Sequence, residues 1–531
     1  MTDPVGGLTE AVPGVDEPVV DLTTGGGTVD GETLLDSDTS LDGETVIHTM
    51  FGRDSLYVVV LALQLVTAVV LVPVITRVLG PDGYGRLATA VALSQAVFPA
   101  AALGLQIGIQ RVFAGPGGRD AARGLLTVSI VLTSGVVGLL LVTRRWWGGT
   151  LGLHGHPAVL ELTVVWSGLV AVTYVDLALL RSLERLGRYA TVSLLQSVGI
   201  QVVALGAVAV FGRSAQVFLA GYVAGQALAL VVALALTRPR LSGVLQVRTA
   251  QAALVYSLPL VPQQVATFVL NASDRLVVQR DLGPVPTGRY QVAYNVGGLG
   301  IILLTFVNQA WMPRIFALRG DARAAVLARC RDQIYRLLLP VVTGMALGLP
   351  AVLRVWAPAS YRPGSLALVT VLVVASTIPY AASLGPVRVL LASGHTRTLA
   401  GATAAAAAAN IALNLLLVPT LGIDGSALAT LVSFALLAAL VALLARSAIP
   451  VARVPAPLGF GLLGVVGVAL ASAALPTGGT WFGLRLGAGA VALAWLAQTI
   501  RTVLGRSPRP DQPRRNPSCR PDEKEAVHAP R

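Results

Sequence analysis

The chain is expected to fold as an all-α polytopic membrane protein of about 14 transmembrane helices: two pseudo-symmetric six-helix bundles plus two C-terminal helices. Three observations predict this. Of its 531 residues, 54% are hydrophobic and 12% charged, with mean hydropathy +0.73. A soluble domain carries roughly 25% charge, so lipid must solvate most of this chain. Apolar runs of about 20 residues, the length that crosses a bilayer, recur throughout. Finally, one phrase occurs twice where such a run meets a turn. RVLGPDGYGR, Arg77–Arg86, returns as RDLGPVPTGR, Arg280–Arg289, with Arg, Leu, Gly, Pro, Gly and Arg matching at one offset of 203 (282 − 79). Two copies of a hydrophobic hairpin with the same hinge describe a duplicated chain.

Taken in order, residues 1–52 hold eleven carboxylates and neither Lys nor Arg. This Gly/Thr-rich stretch lacks a basic start and a small-residue cleavage site, so it reads as an acidic disordered cytoplasmic extension and not as a signal peptide. Residues 53–240 form the N-terminal six-helix bundle, with spans at 55–79, 86–109, 125–143, 159–180, 191–211 and 215–237. Residues 241–448 form the second, with spans at 254–278, 290–313, 333–355, 365–386, 396–418 and 425–445. Residues 449–505 supply two additional transmembrane helices, 457–475 and 481–503. The Pro- and Arg-rich 506–531 is a disordered cytoplasmic tail. An even number of spans puts both termini on one side. Loop arginines then favour that side roughly two- to three-fold, which makes it the cytoplasm.

The formal charge of +13 conceals an asymmetry: beyond residue 52 the chain carries +24 (13 + 11), and its single lysine is Lys524. The arginines stand singly at segment ends, not clustered with aromatics, which argues against nucleic acid. Cys330 and Cys519 are too far apart in sequence to suggest a disulfide framework or a metal site. His154 and His156 have ligand-like spacing but no third partner, so no cofactor or metal is expected. The longest outer loop, residues 144–157, leaves no room for an extracytoplasmic domain. Asp82, Asp281 and Asp424 sit in Gly-rich turns, which speaks against an enzyme.

A third hairpin, LVPTLGIDGSALATLVSF (Leu417–Phe434), has the same grammar as the repeated phrase. Glycine at all three turns supplies backbone freedom and lets helix ends approach closely. Four stretches carry a family likeness: TRVLGPDGYGRLATAVAL (Thr76–Leu93) with LGLQIGIQR (Leu103–Arg111); NASDRLVVQRDLGPVPTGRYQVAYNV (Asn271–Val296); NQAWMPRI (Asn308–Ile315); and NIALNLLLVPTLGIDGSALAT (Asn410–Thr430). At these residues the chain resembles the bacterial polysaccharide flippases, the O-antigen and capsule exporters of the multidrug/oligosaccharidyl-lipid/polysaccharide superfamily. The resemblance implies a multi-pass protein of a bacterial plasma membrane that moves a polyprenyl-pyrophosphate-linked oligosaccharide between leaflets by alternating access, with a polysaccharide polymerase or export complex as a possible partner. A flippase of lipid-linked peptidoglycan precursor and a cation-coupled multidrug antiporter are the alternatives.

Polar side chains inside spans should face a cavity or another helix. Arg275 is the strongest candidate substrate contact, because its planar fork donates two parallel hydrogen bonds to phosphate. Asn271 lies one turn below it and Gln264 about two turns further, one polar stripe. Asn295, Asn308 and Gln64 extend the polar set, and Arg111 and Arg314 at inner helix ends could meet a lipid pyrophosphate at the cytosolic mouth. Asp176 and Asp274 are the candidates for ion coupling. An ion pair of Arg275 with Asp274 is the alternative to phosphate binding, although neighbours on a helix point about 100° apart and are not ideal partners. Asp176 could instead pair with Arg181. Pro259 and Pro262, beside the polar stripe, are the expected hinges.

Overall fold

Within a bilayer the backbone has no water to bond, so each apolar run must close its own hydrogen bonds as a helix. The computed structural model describes residues 55–152, 156–302, 304, 320–446, 452–476 and 479–504. Among the described residues there is no strand, and 12 helices are long and apolar enough to cross a membrane. The α-helices, several of them joined into one span, are in chain order α1 (Ser55–Ala102), α2 (Leu105–Ala114), α3 (Gly118–Trp147), α4 (Pro157–Ser182), α5 (Leu186–Leu194), α6 (Ile200–Phe211) and α7 (Ala215–Thr237). The second half continues with α8 (Val247–Ser257), α9 (Val261–Leu282), α10 (Pro284–Gly297), α11 (Gly320–Trp356), α12 (Ala367–Ala392), α13 (Thr396–Leu421) and α14 (Ile423–Ala445). Two more, α15 (Ala456–Ala474) and α16 (Thr480–Leu504), follow.

The repeated phrase is a hinge one residue long. Gly80 breaks α1 with φ +65° and ψ 179°, and the helix restarts at once on Pro81. Gly283, φ +89°, separates α9 from α10, which begins at Pro284. Gly422, φ +62°, does the same between α13 and α14. Only glycine takes these angles freely, and proline at a first helical position loses an N–H that has no partner there anyway. The expected span starts at 86, 290 and 425 are therefore late: helix resumes at 81, 284 and 423.

Two other expected spans are interrupted. Leu103 and Gly104 are both left-handed (φ 51° and 70°) and divide the second span into the end of α1 and α2. The seventh divides at the tight turn Leu258–Leu260, which carries Pro259, with Pro262 in the first turn of α9. Between α5 and α6 a wide π turn, Leu195–Gly199, bulges the fifth span. The later part of the span expected at 290–313 lies largely outside the described residues.

Within the first half α4 packs on α1 and α7, and α7 on α6. In the second half α14 packs on α12 and α13, and α13 on α9. The two C-terminal helices both lie on α11. Contact between the halves runs along α1 against α9 and α10, and along α2 against α8.

Candidate functional site

Where α1 meets α10 the two copies of the phrase interlock. A Cβ on Gly85 would overlap the carbonyl oxygen of Pro284, and one on Gly288 would overlap that of Pro81. These contacts are related by the repeat offset itself (85 + 203 = 288; 81 + 203 = 284), so the shared glycine lies where each half crosses the other. The glycines are there for backbone approach as well as for turning. Arginines of the same phrases tie this end down. Arg77 donates to the Pro73 and Val355 carbonyls, both at 2.8 Å, and Arg289 donates to the Tyr361 carbonyl at 3.1 Å and to Ser365. Arg86 bonds Asp82, 3.0 Å, and His156. Arg77 thereby clamps the end of α11, where the Val355 carbonyl would otherwise be left open.

Next to the interlock lies a cavity of about 420 Å³ between the halves. The first half lines it with α1 residues from Leu71 to Gln95, with Gln201 just after the π turn, and with Tyr222 of α7. The second half contributes Asn271, Ala272 and Arg275 of α9, Gln291, Tyr294 and Asn295 of α10, and Trp356. Hydrogen bonds stitch the polar lining together. Asn295 Nδ2 donates to Tyr84 Oη (2.8 Å), Gln291 Nε2 to Asn295 Oδ1 (2.6 Å), and Tyr222 Oη to Gln201 Oε1 (3.0 Å).

Arg275 is the centre of this lining and is only 5% exposed. Its Nη1 donates to Asp274 Oδ1 at 2.7 Å and to the Asn271 carbonyl, and its Nε to Gln291 Oε1 at 3.1 Å. The guanidinium lies 3.7 Å from the ring centre of Tyr294 and 5.8 Å from that of Tyr290. Tyr290 Oη donates to Asp274 Oδ2 at 2.5 Å. Asp274 is therefore the ionic partner of Arg275, contrary to the expectation from helix geometry. A long guanidinium stem folds back along its own helix, and burial of both groups makes separation costly.

The other candidates distribute unevenly. Asn271 lines the cavity and donates to the Thr267 carbonyl (2.7 Å). Gln264 does not join it: Gln106 Nε2 donates to its Oε1 at 2.9 Å, away from the cavity lining and near the place where a Cβ on Gly104 would overlap the Ser257 carbonyl. The proposed single stripe thus divides along its length: Gln264 and Asn271 share the unbroken α9, but seven residues, about 10.5 Å, separate them, and Gln264 meets α2 outside the cavity lining. Arg111 stacks on Tyr256 at 4.3 Å. Asp176 is fully buried and accepts from Thr237 (3.0 Å) with its other oxygen unpartnered among the described residues, so its contact is Thr237 and not Arg181. Asn308 and Arg314 lie outside the described residues, as does the side chain of Gln64 in α1. Among the described residues no group of three metal-ligating side chains occurs.

Sequence reasoning missed the tyrosines. Tyr290 and Tyr294 stand one turn apart on α10, with Gln291 and Asn295 in the same rhythm, and Tyr84 answers from the first copy of the phrase. That i, i+4 pairing inside RYQVAYN was the available signal. In the second half, Ser273 donates to Asn410 (3.3 Å) and Ser426 to Asn414 (2.8 Å), a polar joint that ties α9, α13 and α14.

Residues 55–319 match the sequence model of the polysaccharide biosynthesis protein family. No curated protein sequence matches the chain. Among solved structures, the lipid II flippase MurJ in an inward closed conformation superposes with TM-score 0.63 at 13% identity, over 85% of this chain and 100% of that one. An inward-facing multidrug resistance MATE family transporter superposes with TM-score 0.59 at 15% identity, over 76% and 97%. At these identities the structures establish the fold; the sequence match establishes the lineage. The chain belongs to the polysaccharide biosynthesis protein family.

Proposed function

We propose that the protein moves a polyprenyl-pyrophosphate-linked oligosaccharide from the cytosolic to the outer leaflet of a bacterial plasma membrane by alternating access. The observation that carries this reading is the amide-, tyrosine- and arginine-lined cavity between two halves that interlock at one end. The excess of arginine in alternate loops supports a cytoplasmic position for both termini, and in that orientation the interlocked end faces outward. The sugar and pyrophosphate occupy the cavity, with the polyprenyl tail left in lipid, and no covalent step is involved. With the interior negative, outward movement of two negative charges gains about 4.6 kcal/mol per 100 mV if they cross the whole field.

The Arg275 network suits a reversible phosphate contact. In the resting pair the charge of Arg275 is balanced by Asp274, which avoids an uncompensated buried cation. When a phosphate draws the guanidinium into the cavity, Tyr290 still holds Asp274 Oδ2. Asn271, Asn295 and Gln291 are placed to bond glycan hydroxyls, and Arg111 meets the incoming pyrophosphate at the cytosolic mouth. Asp176 and Asp274 are the carboxylates available for any ion coupling.

The test is a deletion strain in which lipid-linked intermediates are extracted and their glycan identified. Accumulation of a polyprenyl-pyrophosphate oligosaccharide supports the assignment. Build-up of unmodified peptidoglycan precursor selects the precursor flippase instead. A normal lipid-linked pool with drug sensitivity selects the antiporter and overturns the reading.

A further inference from the structure

A second arginine is buried outside the cavity lining. Arg485 lies five residues inside α16, about 7.5 Å from its start, and is 3% exposed. Its Nη2 donates to the Ser472 carbonyl of α15, while its Nε and Nη1 are buried with no partner among the described residues. Two N–H donors of a cation left empty in this way are costly and call for a bonding partner. No neighbouring carboxylate in sequence answers it. From residue 333 to residue 510 the chain contains one acid, Asp424, and that one lies within electrostatic reach of Arg289.

A second cation stands beside it. Phe482 precedes Arg485 by three residues, hence on the same face of α16, and the guanidinium of Arg354 lies 3.9 Å from its ring centre. Arg354 is exposed and also lines a crevice of about 130 Å³ with Leu349, Pro350, Leu353 and Pro363. Ser472 donates to the Ala346 carbonyl at 3.3 Å, which fixes α15 to α11 at this level. The whole arrangement sits at the interlocked end, because Thr76 and Arg77 donate to the Trp356 and Val355 carbonyls at the end of α11.

We propose that Arg485, flanked by Arg354, forms a site for the phosphoryl group of a membrane lipid in the leaflet at this end. Phosphate oxygens take the two unpartnered donors of Arg485, Arg354 adds charge at the rim, and the acyl chains lie along the apolar surface of α16, where Leu484, Leu486 and Val491 are exposed. Occupancy is independent of transport through the cavity, so the site stands or falls separately from the proposed cargo.

Native mass spectrometry of the full-length protein, delipidated and titrated with phosphatidylglycerol, phosphatidylcholine or undecaprenyl pyrophosphate, tests it. One tightly held phosphatidylglycerol is expected, at least about tenfold preferred over phosphatidylcholine, with Arg485→Gln abolishing the preference and Arg354→Gln reducing it several-fold. Displacement of phosphatidylglycerol by undecaprenyl pyrophosphate at equimolar concentration would assign the site to the carrier lipid, and resistance to displacement would assign it to a resident phospholipid. If Arg485→Gln fails to fold, the wild-type preference and Arg354→Gln still decide. Equal binding of both phospholipids to wild type, or an unchanged preference in both variants, overturns the proposal.

Discussion

The two halves are alike where they touch and unlike where they are charged. At the interlock Gly85 and Gly288 occupy equivalent places, each against the other half's proline carbonyl. In the membrane interior the equivalence ends. The second half brings an ion pair, Asp274–Arg275 at 2.7 Å, to the cavity and surrounds it with tyrosines. The first half has Asp176, which accepts from Thr237 and stays out of the cavity lining. The difference teaches that the two matched phrases share a mechanical joint, where backbones must approach, while the chemistry on either side of it differs.

The largest effect is expected at the joint. Gly85→Val and Gly288→Val each force a side chain into a facing carbonyl, and overpacking of this kind costs about 1–3 kcal/mol or more. If the joint is one end of an alternating pathway, each variant shifts that end toward open by roughly 5–150-fold. Labelling of a cysteine at Ala88, which lines the cavity, by an impermeant reagent should rise from the outer side in both variants, and complementation should fail. Equal effects are required of the pair, since the contact is reciprocal; a variant effect confined to one glycine would break the symmetry reading.

The next effect separates the halves. Arg275→Ala leaves Asp274 buried without its cation, a loss of about 3–5 kcal/mol, and should abolish complementation while the protein is still made. Arg275→Lys keeps charge but not the planar fork on Gln291 and the Tyr294 ring, so it should rescue poorly. Full activity of the alanine variant would remove Arg275 from the transport path.

Much of the fold could be read from residues alone, because lipid imposes strong rules. Apolar length announced the spans, and the recurrence of Leu-Gly-Pro with Gly-Arg announced the duplication. The hinge lengths were misjudged because Asp82, Gly83 and Gly85 look like turn residues, whereas they are helical after Gly80 alone breaks the chain. The site was legible in type but not in pairing. Arg275 and Asn271 stood out as polar residues in an apolar run, yet nothing in one sequence says that Arg275 curls back to meet Asp274 or that Tyr294 lies beneath it. The split of Gln264 from that stripe depends on where along α9 the cavity ends, and periodicity gives a shared face without saying how far along it a cavity reaches.

A smaller effect is expected at Asn295, which bridges the halves by donating to Tyr84 and accepting from Gln291. Asn295→Ala leaves two polar groups to find water in the cavity, so the cost should stay near the lower end of about 1–3 kcal/mol. Transport measured by release of lipid-linked intermediate should drop several-fold without the collapse expected of Arg275→Ala. A loss as deep as that of Arg275→Ala would mean that Asn295 itself holds the substrate.

The smallest effect is expected at Asp176→Asn, and it sharpens the comparison most. The amide oxygen can still accept from Thr237, a bond with a net value of about 0.5–1.5 kcal/mol, and no cavity contact changes. If the membrane potential alone drives outward movement, transport should remain within about twofold of wild type, since the change removes neither a substrate contact nor the joint. If Asp176 instead carries a coupling ion, the same isosteric change should abolish transport against an ion gradient and leave stability intact. Measuring transport in vesicles with an imposed potential, with and without a proton or sodium gradient, separates the two. A gradient-dependent loss in Asp176→Asn would show that the first half contributes chemistry after all, through a carboxylate held apart from the cargo.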